Sequence, residues 1–537
     1  MPEKLKELLD NKWFWIFILL MFAAVLAGRV TRCARNGGKT TYTNTTRNHW
    51  SKLLLVMDHI EGNYVDSISY GKLTDDAISA VLQSLDPHSV YLPPMDLEKA
   101  EESLVGNFSG IGIEFNVPND TAVVVNVIPG GPSQRAGLMS GDRIVKIDGR
   151  NVAGVQFPQD SLMKLLRGPK DSKVCVSIKR SGEKDLLPFD ITRGVIPVHS
   201  LDAAIMLTPT LGYIKLSTFS ITTYKEFMMA ALKLKERGMT SLLLDLRENP
   251  GGYLDQAYRL ANEFLEKGDM VVYMQGRKRP REEFRATGRG MLKDIKLYVA
   301  IDENSASSSE IVAGAIQDND RGTIIGRRSF GKGLVQEPVY FSDSSGLRLT
   351  VARYYTPSGR CIQKPYSEDY NYDILERYQR GEMHSADSIK VNDSLKYTTV
   401  HGNTVYGGGG IIPDVFIPID TTGVTDFLVK VNRRSLQMKF SSLFADMHRA
   451  ELQAITTIDE LEDLYREQDL GRQFLIYAAS EGVRALPGEW EQSGNIIVLQ
   501  IEGLIGRYSS MNEDAFYPYI LKTDSLAEKV KKLESEL

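Results

Sequence analysis

The sequence is poor in the residues that build metal and disulfide sites. Its 537 residues include three cysteines, Cys33, Cys175 and Cys361, too few and too scattered for a disulfide framework or a thiolate metal site. Cysteine usage therefore leaves the redox compartment open. Histidine is also scarce, with seven residues from His49 to His448 and no H-E-x-x-H or close pair among them, which argues against a zinc hydrolase. No basic face stands out: 64 Lys and Arg are interspersed with 69 Asp and Glu for a net charge of -5, so the footprint of a nucleic-acid binder is missing. Acidic runs are missing too. The remaining composition, 42% hydrophobic and 25% charged, is that of a folded protein, and the length calls for two to four domains.

One long apolar run occurs near the start. Trp13 to Gly28, WFWIFILLMFAAVLAG, is 16 uncharged residues behind Lys4, Lys6 and Lys12. A membrane span needs about 20 residues and an export h-region about 7 to 15, so the run lies between the two. Val25-Leu26-Ala27 fits a cleavage site, while Trp13 and Trp15 suit an interfacial anchor. Orientation is not decided by charge, since Arg29, Arg32, Arg35 and Lys39 follow as densely as lysines precede. Residues 1–35 are read as a signal anchor with the catalytic part exported, a cleaved signal peptide being the alternative.

A polar tether, Arg29 to Asn48, leads into a helical region that ends near residue 105. Apolar residues at three and four spacing in LLLVMDHI and LTDDAISAVLQSL predict helices, with Asp75 and Asp76 suited to a helix start. LDPHSVYLPP, Leu85 to Pro94, breaks the pattern, and His88 beside Asp86 reads as a locally bonded turn histidine. Residues 106–195 turn to short strands between glycine-rich turns, with short helices around Ser133 to Ala136 and Asp160 to Leu166, a small β-rich module. Residues 196–425 alternate: LGYIKLSTF, SLLLDLR, DMVVYM and IKLYVAID read as strands between helices, which predicts an α/β domain with a largely parallel sheet. A polar stretch at about 366–399 looks inserted. Gly407 to Gly410 reads as a turn, because no helix follows to hold a phosphate. Residues 426–537 are mainly amphipathic helix. The expected class is multidomain α+β.

GRRSFGKG, Gly326 to Gly333, matches a phosphate-binding loop except at its last position, where Gly333 replaces the hydroxyl residue. Such a loop must open a helix, whereas two β-runs follow Lys332. A lysine between two glycines and flanked by Phe330, Leu334 and Val335 lies close to apolar surface. Desolvation lowers its pKa, as a general base requires. A nucleophile is available in ENSASSSEIVAGAIQD, where Ser305, Ser307, Ser308 and Ser309 precede a helix whose N-terminus favours negative charge. Helix capping is the competing account of any one of these serines.

Two resemblances sharpen this reading. GIGIEF and PGGPSQRAGLMSGDRIVKIDGRNV resemble the carboxylate-binding loop and the signature of PDZ domains. That resemblance implies tail binding by Gly110, Ile111, Gly112 and Ile113, and successive backbone N–H groups beside an open strand edge suit a chain-terminal carboxylate. SASSSEIVAGAIQDNDRGTIIGRRSFGKGLVQ resembles the signature of the carboxyl-terminal processing, or tail-specific, proteases. In that family the nucleophile lies 25 residues before the lysine, which implies Ser307 as nucleophile, Lys332 as base and Gln336 as the assisting residue. DLRENPGG resembles another family segment and implies the amides of Gly252 and Ser308 as oxyanion donors. LDPHS, YYTPSGRCIQ and GIIPD extend the likeness from about Leu53 to Pro418. Ser308-Ser309 departs from the family's usual Ala-Ser pair. An extended strand would set Lys332 and Gln336 about 13 Å apart, so Gly333 is expected to permit a bend.

The expected function is a serine endopeptidase acting at or near C-terminal tails, without metal or other cofactor. Expected partners are protein or peptide substrates with free apolar C-termini and the membrane through the N-terminal segment, with no nucleic acid and a homo-oligomer left open. A non-catalytic PDZ scaffold with a degenerate core is the alternative. A PDZ protease with a Ser-His-Asp triad fits less well, for want of a G-N-S-G-G motif.

Overall fold

The computed structural model describes residues 44–366 and 370–536. The apolar run Trp13 to Gly28 lies outside them, and no helix among the described residues is long and apolar enough to cross a membrane. The chain divides into two compact units at Ile78 and Ser79. The first described helices are α1 (Asn44–Asn63) and α2 (Tyr70–Gln83). Asp75 and Asp76 fall inside α2 rather than at its start. The helix begins earlier because Leu73 extends the apolar spacing, and its N–H bonds the Ser69 carbonyl at 3.0 Å.

From Ser79 onward, β1 (Val90–Leu92) and α3 (Pro94–Val105) lead into the β-rich module. Its elements are β2 (Asn107–Gly110), β3 (Ile113–Asn116), β4 (Ala122–Val127), α4 (Pro132–Ala136), β5 (Arg143–Ile147), β6 (Arg150–Asn151), α5 (Gln159–Leu166), β7 (Lys173–Lys179), β8 (Leu187–Thr192) and β9 (Gly194–Pro197). An antiparallel sheet runs β3-β4-β5-β7-β8, and β2 pairs with β9 apart from it. Val174, Val176 and Ile178 of β7 alternate into a core with Ile111, Val124, Leu162 and Leu166, the period-two pattern of a sheet with one buried face. β3 ends the sheet and leaves one strand edge unpaired.

The next layer is α/β. β10 (Leu201–Met206), β11 (Leu211–Leu216), α6 (Thr223–Glu236), β12 (Ser241–Asp245), α7 (Leu254–Asn262), β13 (Met270–Gln275), β14 (Glu282–Arg285), β15 (Lys296–Ile301), α8 (Ser308–Asp318) and β16 (Thr323–Gly326) follow in order. β17 (Leu334–Tyr340), β18 (Gly346–Tyr355), α9 (Asp373–Gln379), β19 (Lys396–Thr398), β20 (Thr404–Tyr406) and β21 (Val415–Phe416) complete it. One sheet runs β10-β11-β12-β15-β16-β21, parallel from β11 onward with β10 antiparallel. DMVVYM does not belong to it. As β13 it pairs with β18 and β14 in a second, antiparallel sheet that also holds β1 and β17. A strand's texture states its propensity and not its partner, and the hairpin that captures β13 is far along the chain.

Eight helices among the described residues close the chain: α10 (Asp426–Arg433), α11 (Leu436–Met447), α12 (Arg449–Ala454), α13 (Ile458–Glu467), α14 (Leu470–Ser480), α15 (Glu489–Gly506), α16 (Glu513–Ile520) and α17 (Ser525–Ser535). Every residue of β12 is buried, the mark of a strand covered on both faces. Leu242 and Leu244 join the core that includes α6, α7 and α8 residues, while Leu243 joins Leu526, Ala527 and Val530 of α17. The last helix of the chain thus roofs the sheet.

Candidate active site

Two strand ends of the parallel sheet carry the site, as expected for this kind of fold. After β15 the chain turns through DENSAS into α8, and Ser307 is the residue before the first helical turn. Its φ of 53° and ψ of -111° are unfavourable for a side chain and cost about 1–3 kcal/mol. Such strain persists only where the surroundings hold it, and here they do. The Ser307 N–H donates to Glu310 Oε2 at 2.9 Å, and its carbonyl accepts from Ile311 N–H at 2.9 Å and from the Tyr354 hydroxyl at 3.1 Å.

The four serines separate by what their hydroxyls do. Ser305 Oγ donates to the Leu246 carbonyl at 2.8 Å, Ser308 Oγ to the Gly252 carbonyl at 2.9 Å and Ser309 Oγ to the Asn249 carbonyl at 2.9 Å. Ser307 Oγ makes no such bond to a loop carbonyl; it faces the Glu310 N–H in the capping box that opens α8. Three serines stitch the start of α8 to the loop after β12, and the fourth caps the helix.

That loop is DLRENPGG. The buried Asp245 carboxylate is held well below the usual range: burial opposes ionisation, but Arg247 at 2.6 Å wins. Arg247 also reaches Asp524 at 2.7 Å. Asn249 ties the loop to β11, donating to the Leu216 carbonyl at 2.8 Å and accepting the Gly251 N–H at 2.9 Å. Gly251 has φ of 97° and lies so close to α8 that a Cβ there would stand 2.8 Å from both Ser307 Cβ and Ser308 N. Only glycine fits. The N–H groups of Gly252 and Ser308 therefore lie on adjoining backbones, and neither has an acceptor among the described residues.

Lys332 arrives from the loop between β16 and β17. Glu310, fully buried, gathers that loop: Oε1 accepts the Ser329 hydroxyl at 2.5 Å and the Gly331 N–H at 2.7 Å, and Oε2 accepts the Lys332 N–H at 2.8 Å. Because Oε2 also takes the Ser307 N–H, one carboxylate oxygen joins the backbones of both residues. Tyr354 does the same from the other side, its hydroxyl contacting the Ser307 and Lys332 carbonyls. The Lys332 ammonium has no hydrogen-bond partner among the described residues. Burial pushes its pKa below the ordinary lysine value and nearby Arg348 adds to this, against the pull of Glu310 and Asp86. What brings Ser307 and Lys332 together is their backbones, through Glu310 and Tyr354; their side chains share no hydrogen bond, and catalytic bonds often form only in the liganded site.

Gln336 is placed by its amide, which donates to the His88 carbonyl. The expected bend at Gly333 does not take the form of a positive φ. Its N–H instead bonds Gln363 Oε1 at 2.9 Å, and a Cβ there would meet Gln363 N at 2.9 Å. The strand irregularity falls two to three residues later, between Val335 and Gln336, as a shift in register against β18. A bulge re-aims a side chain without any residue in a left-handed conformation.

His88 is locally bonded, its N–H on Asp86 Oδ1 at 2.9 Å. Its ring does more than a turn needs, meeting the Tyr370 hydroxyl at 2.6 Å. Burial, then the charge of Lys332, push its pKa down to about 4. Sequence reasoning singled out neither Glu310 nor Tyr354. Glu310 had a signal, S-x-x-E before a helix; Tyr354 had none.

In the β-rich module, Gly110 ends β2 opposite Gly194. The carbonyls of Ile111 and Gly112 accept from Ser133 and Ile128 at 2.9 and 3.1 Å. Their N–H groups have no acceptor among the described residues. Gly112 has φ of 76°, and Ile113 then opens β3, the unpaired edge of the sheet. Free amides thus lead directly into an open strand.

Three stretches of the chain match known protein families. Residues 210–372 match the model of peptidase family S41, residues 109–190 that of the PDZ domain, and residues 427–509 that of a family of unknown function. A carboxy-terminal-processing protease of Bartonella bacilliformis is 38% identical over 60% of this chain and 75% of its own. The carboxy-terminal processing proteases CtpA and CtpB of Bacillus subtilis are 30% and 34% identical, over 65% and 64% of this chain and 75% and 72% of their own. With the S41 match over the strand ends that carry Gly252, Ser307 and Lys332, and a PDZ module before it, the chain belongs to the carboxy-terminal-processing serine proteases.

Proposed function

We propose that the chain is an endopeptidase with a Ser307-Lys332 dyad that cleaves protein substrates at or near C-terminal tails held by the PDZ module. The observation that carries the reading is the shared acceptor, Glu310 Oε2, at 2.9 Å from the Ser307 N–H and 2.8 Å from the Lys332 N–H. Neutral Lys332 takes the proton as Ser307 Oγ attacks the scissile carbonyl. The oxyanion that forms is received by the Gly252 and Ser308 amides, each worth about 3 kcal/mol in the transition state. Lys332 then returns the proton to the leaving amine, and water reverses the steps to free Ser307. Gln336, its amide on the His88 carbonyl, is the assisting residue.

The tail carboxylate is received at Gly110, Ile111, Gly112 and Ile113, with the last substrate residues added as a strand along β3. Free amides and an unpaired edge support this. The apolar run Trp13 to Gly28 supports a membrane-anchored enzyme whose catalytic part is exported, in a bacterial inner membrane and periplasm.

The test is a peptide series differing only at the C-terminus, cleaved by the intact chain and by its Ser307→Ala and Lys332→Arg variants. Both variants should be inactive, since guanidinium does not deprotonate at usable pH. Amidation removes charge-assisted bonds of roughly 1.5 to 3 kcal/mol each, so amidated tails should be cleaved about tenfold or more slowly than free acids. Equal cleavage of both tails would refute tail recognition, and an active Lys332→Arg variant would remove Lys332 as base.

A further inference from the structure

The polar insert takes no part in the steps above, yet its helix α9 is fastened to the loop that carries Lys332. We propose that Arg377 of α9 is a positioning residue for Lys332, acting through the carbonyl side of the loop from Ser329 to Gly331. The Arg377 guanidinium is buried. It donates to the Ser329 carbonyl at 2.8 Å and to the Phe330 carbonyl at 3.1 Å, and Asp373 orients it at 3.0 Å. Beside it the Lys364 ammonium lies 4.0 Å over the Phe330 ring and 4.2 Å over Tyr370, and bonds Asp373 at 3.1 Å. The Lys364 N–H takes the next carbonyl, Gly331, at 3.0 Å.

Glu310 meanwhile holds the N–H groups of Gly331 and Lys332 from α8. The loop is therefore clamped on both sides, its donors by a buried anion and its acceptors by the Arg377 guanidinium and the Lys364 backbone N–H. With both sides fixed, the backbone from which the Lys332 side chain leaves is held in one orientation. Stability alone does not call for this arrangement. A buried cation is costly to desolvate and an apolar residue of similar volume often serves as well, and Arg377 Nε has no hydrogen-bond partner among the described residues. The guanidinium fork earns its burial by reaching successive carbonyls in a set geometry.

The inference rests on Lys332 as base. Its test measures kcat, KM and the pH profile of kcat/KM for the full chain and for Arg377→Met, Arg377→Lys and Asp373→Asn. Arg466→Met, at an exposed ion pair far along the chain, serves as the control, and thermal unfolding is followed for each. Arg377→Met should lower kcat by about ten- to a hundredfold, as small misplacements of catalytic groups do, with KM changed less than about twofold. The rise of activity with pH should move to higher pH as Lys332 gains solvent. The charged and titratable groups facing Lys332, namely Asp86, His88, Glu310 and Arg348, are unchanged in every variant. Asp373→Asn keeps the guanidinium but loosens it, and should give a smaller shift of the same sign.

A folded Arg377→Met enzyme with the wild-type kcat and profile would overturn the proposal. If that variant does not fold, a wild-type profile for Asp373→Asn overturns it equally. Full activity of Lys332→Arg would instead assign the profile to another group, and the dyad reading would fail separately.

Discussion

Replacing Glu310 by glutamine changes one oxygen for an amide, and the structure gives the consequence. The carboxylate accepts four hydrogen bonds, from the Ser329 hydroxyl and the Gly331 N–H on Oε1 and from the Ser307 and Lys332 N–H groups on Oε2. The Ser329 oxygen also accepts the Ile411 N–H at 2.6 Å, which ties the loop to GIIPD. Three of the partners are backbone N–H groups that can only donate, and they favour the ionised carboxylate against the burial that pushes its pKa up. A glutamine offers one oxygen. Whichever way it turns, two of the four donors face an NH2 group. Bonds to a charged acceptor contribute about 1.5–3 kcal/mol each, so two lost bonds amount to about 3–6 kcal/mol. Relief from burying a charge offsets part of this, leaving about 2–4 kcal/mol of lost stability. One orientation also releases both Ser307 and Lys332, and the other releases the loop before Lys332. Peptide cleavage should therefore fall by about a hundredfold. Urea unfolding followed by circular dichroism reads the first effect and initial rates on a free-acid peptide read the second. A Glu310→Gln enzyme with wild-type unfolding and wild-type kcat/KM would refute the clamp.

Ser308→Ala and Ser309→Ala each remove one bond to a backbone carbonyl and should cost about 0.5–1.5 kcal/mol of stability while retaining cleavage; an inactive Ser308→Ala beside an active Ser307→Ala would move the nucleophile by one residue. Cleavage should rise with pH along a limb set below the ordinary lysine value, because burial and Arg348 disfavour the charged form of Lys332. Arg348→Gln removes the like charge, so a pH–rate profile should show that limb displaced to higher pH. His88, at about 4 in the folded chain, is nearer 6.5 when unfolded. The unfolded chain binds the extra proton between these values, so stability should fall as pH drops from about 6.5 to 4. His88→Gln should flatten that fall in unfolding midpoints measured across the window.

What was legible in the sequence was local. The four serines ahead of an apolar helix, the lysine between two glycines and the DLRENPGG loop are contiguous stretches whose chemistry can be read from neighbouring residues. The Ser307 and Lys332 pairing came from the family spacing, and the structure joins their backbones through Glu310 and Tyr354. Which serine is spared a bond to a loop carbonyl was not legible, because the partners of Ser305, Ser308 and Ser309 lie on a loop more than 50 residues away. Gly333 was read as the site of a bend, since glycine is the local sign of backbone freedom. Its real constraint is the approach of Gln363, which no local pattern reveals.

By itself the sequence determined the elements and the reactive groups, because apolar periodicity, turn residues and helix-start serines act over a few residues. Tertiary structure decided the partners. SLLLD announced a buried strand but not that α17, nearly 300 residues later, would cover its Leu243 face. DMVVYM announced a strand but not that β18 would claim it. The polar insert announced only solubility, yet its Arg377 reaches the carbonyls before Lys332. The physical reason is common to all three. A side-chain pattern states which face must leave water or find a hydrogen-bond partner, and any surface of matching chemistry can satisfy it; packing the whole chain selects one.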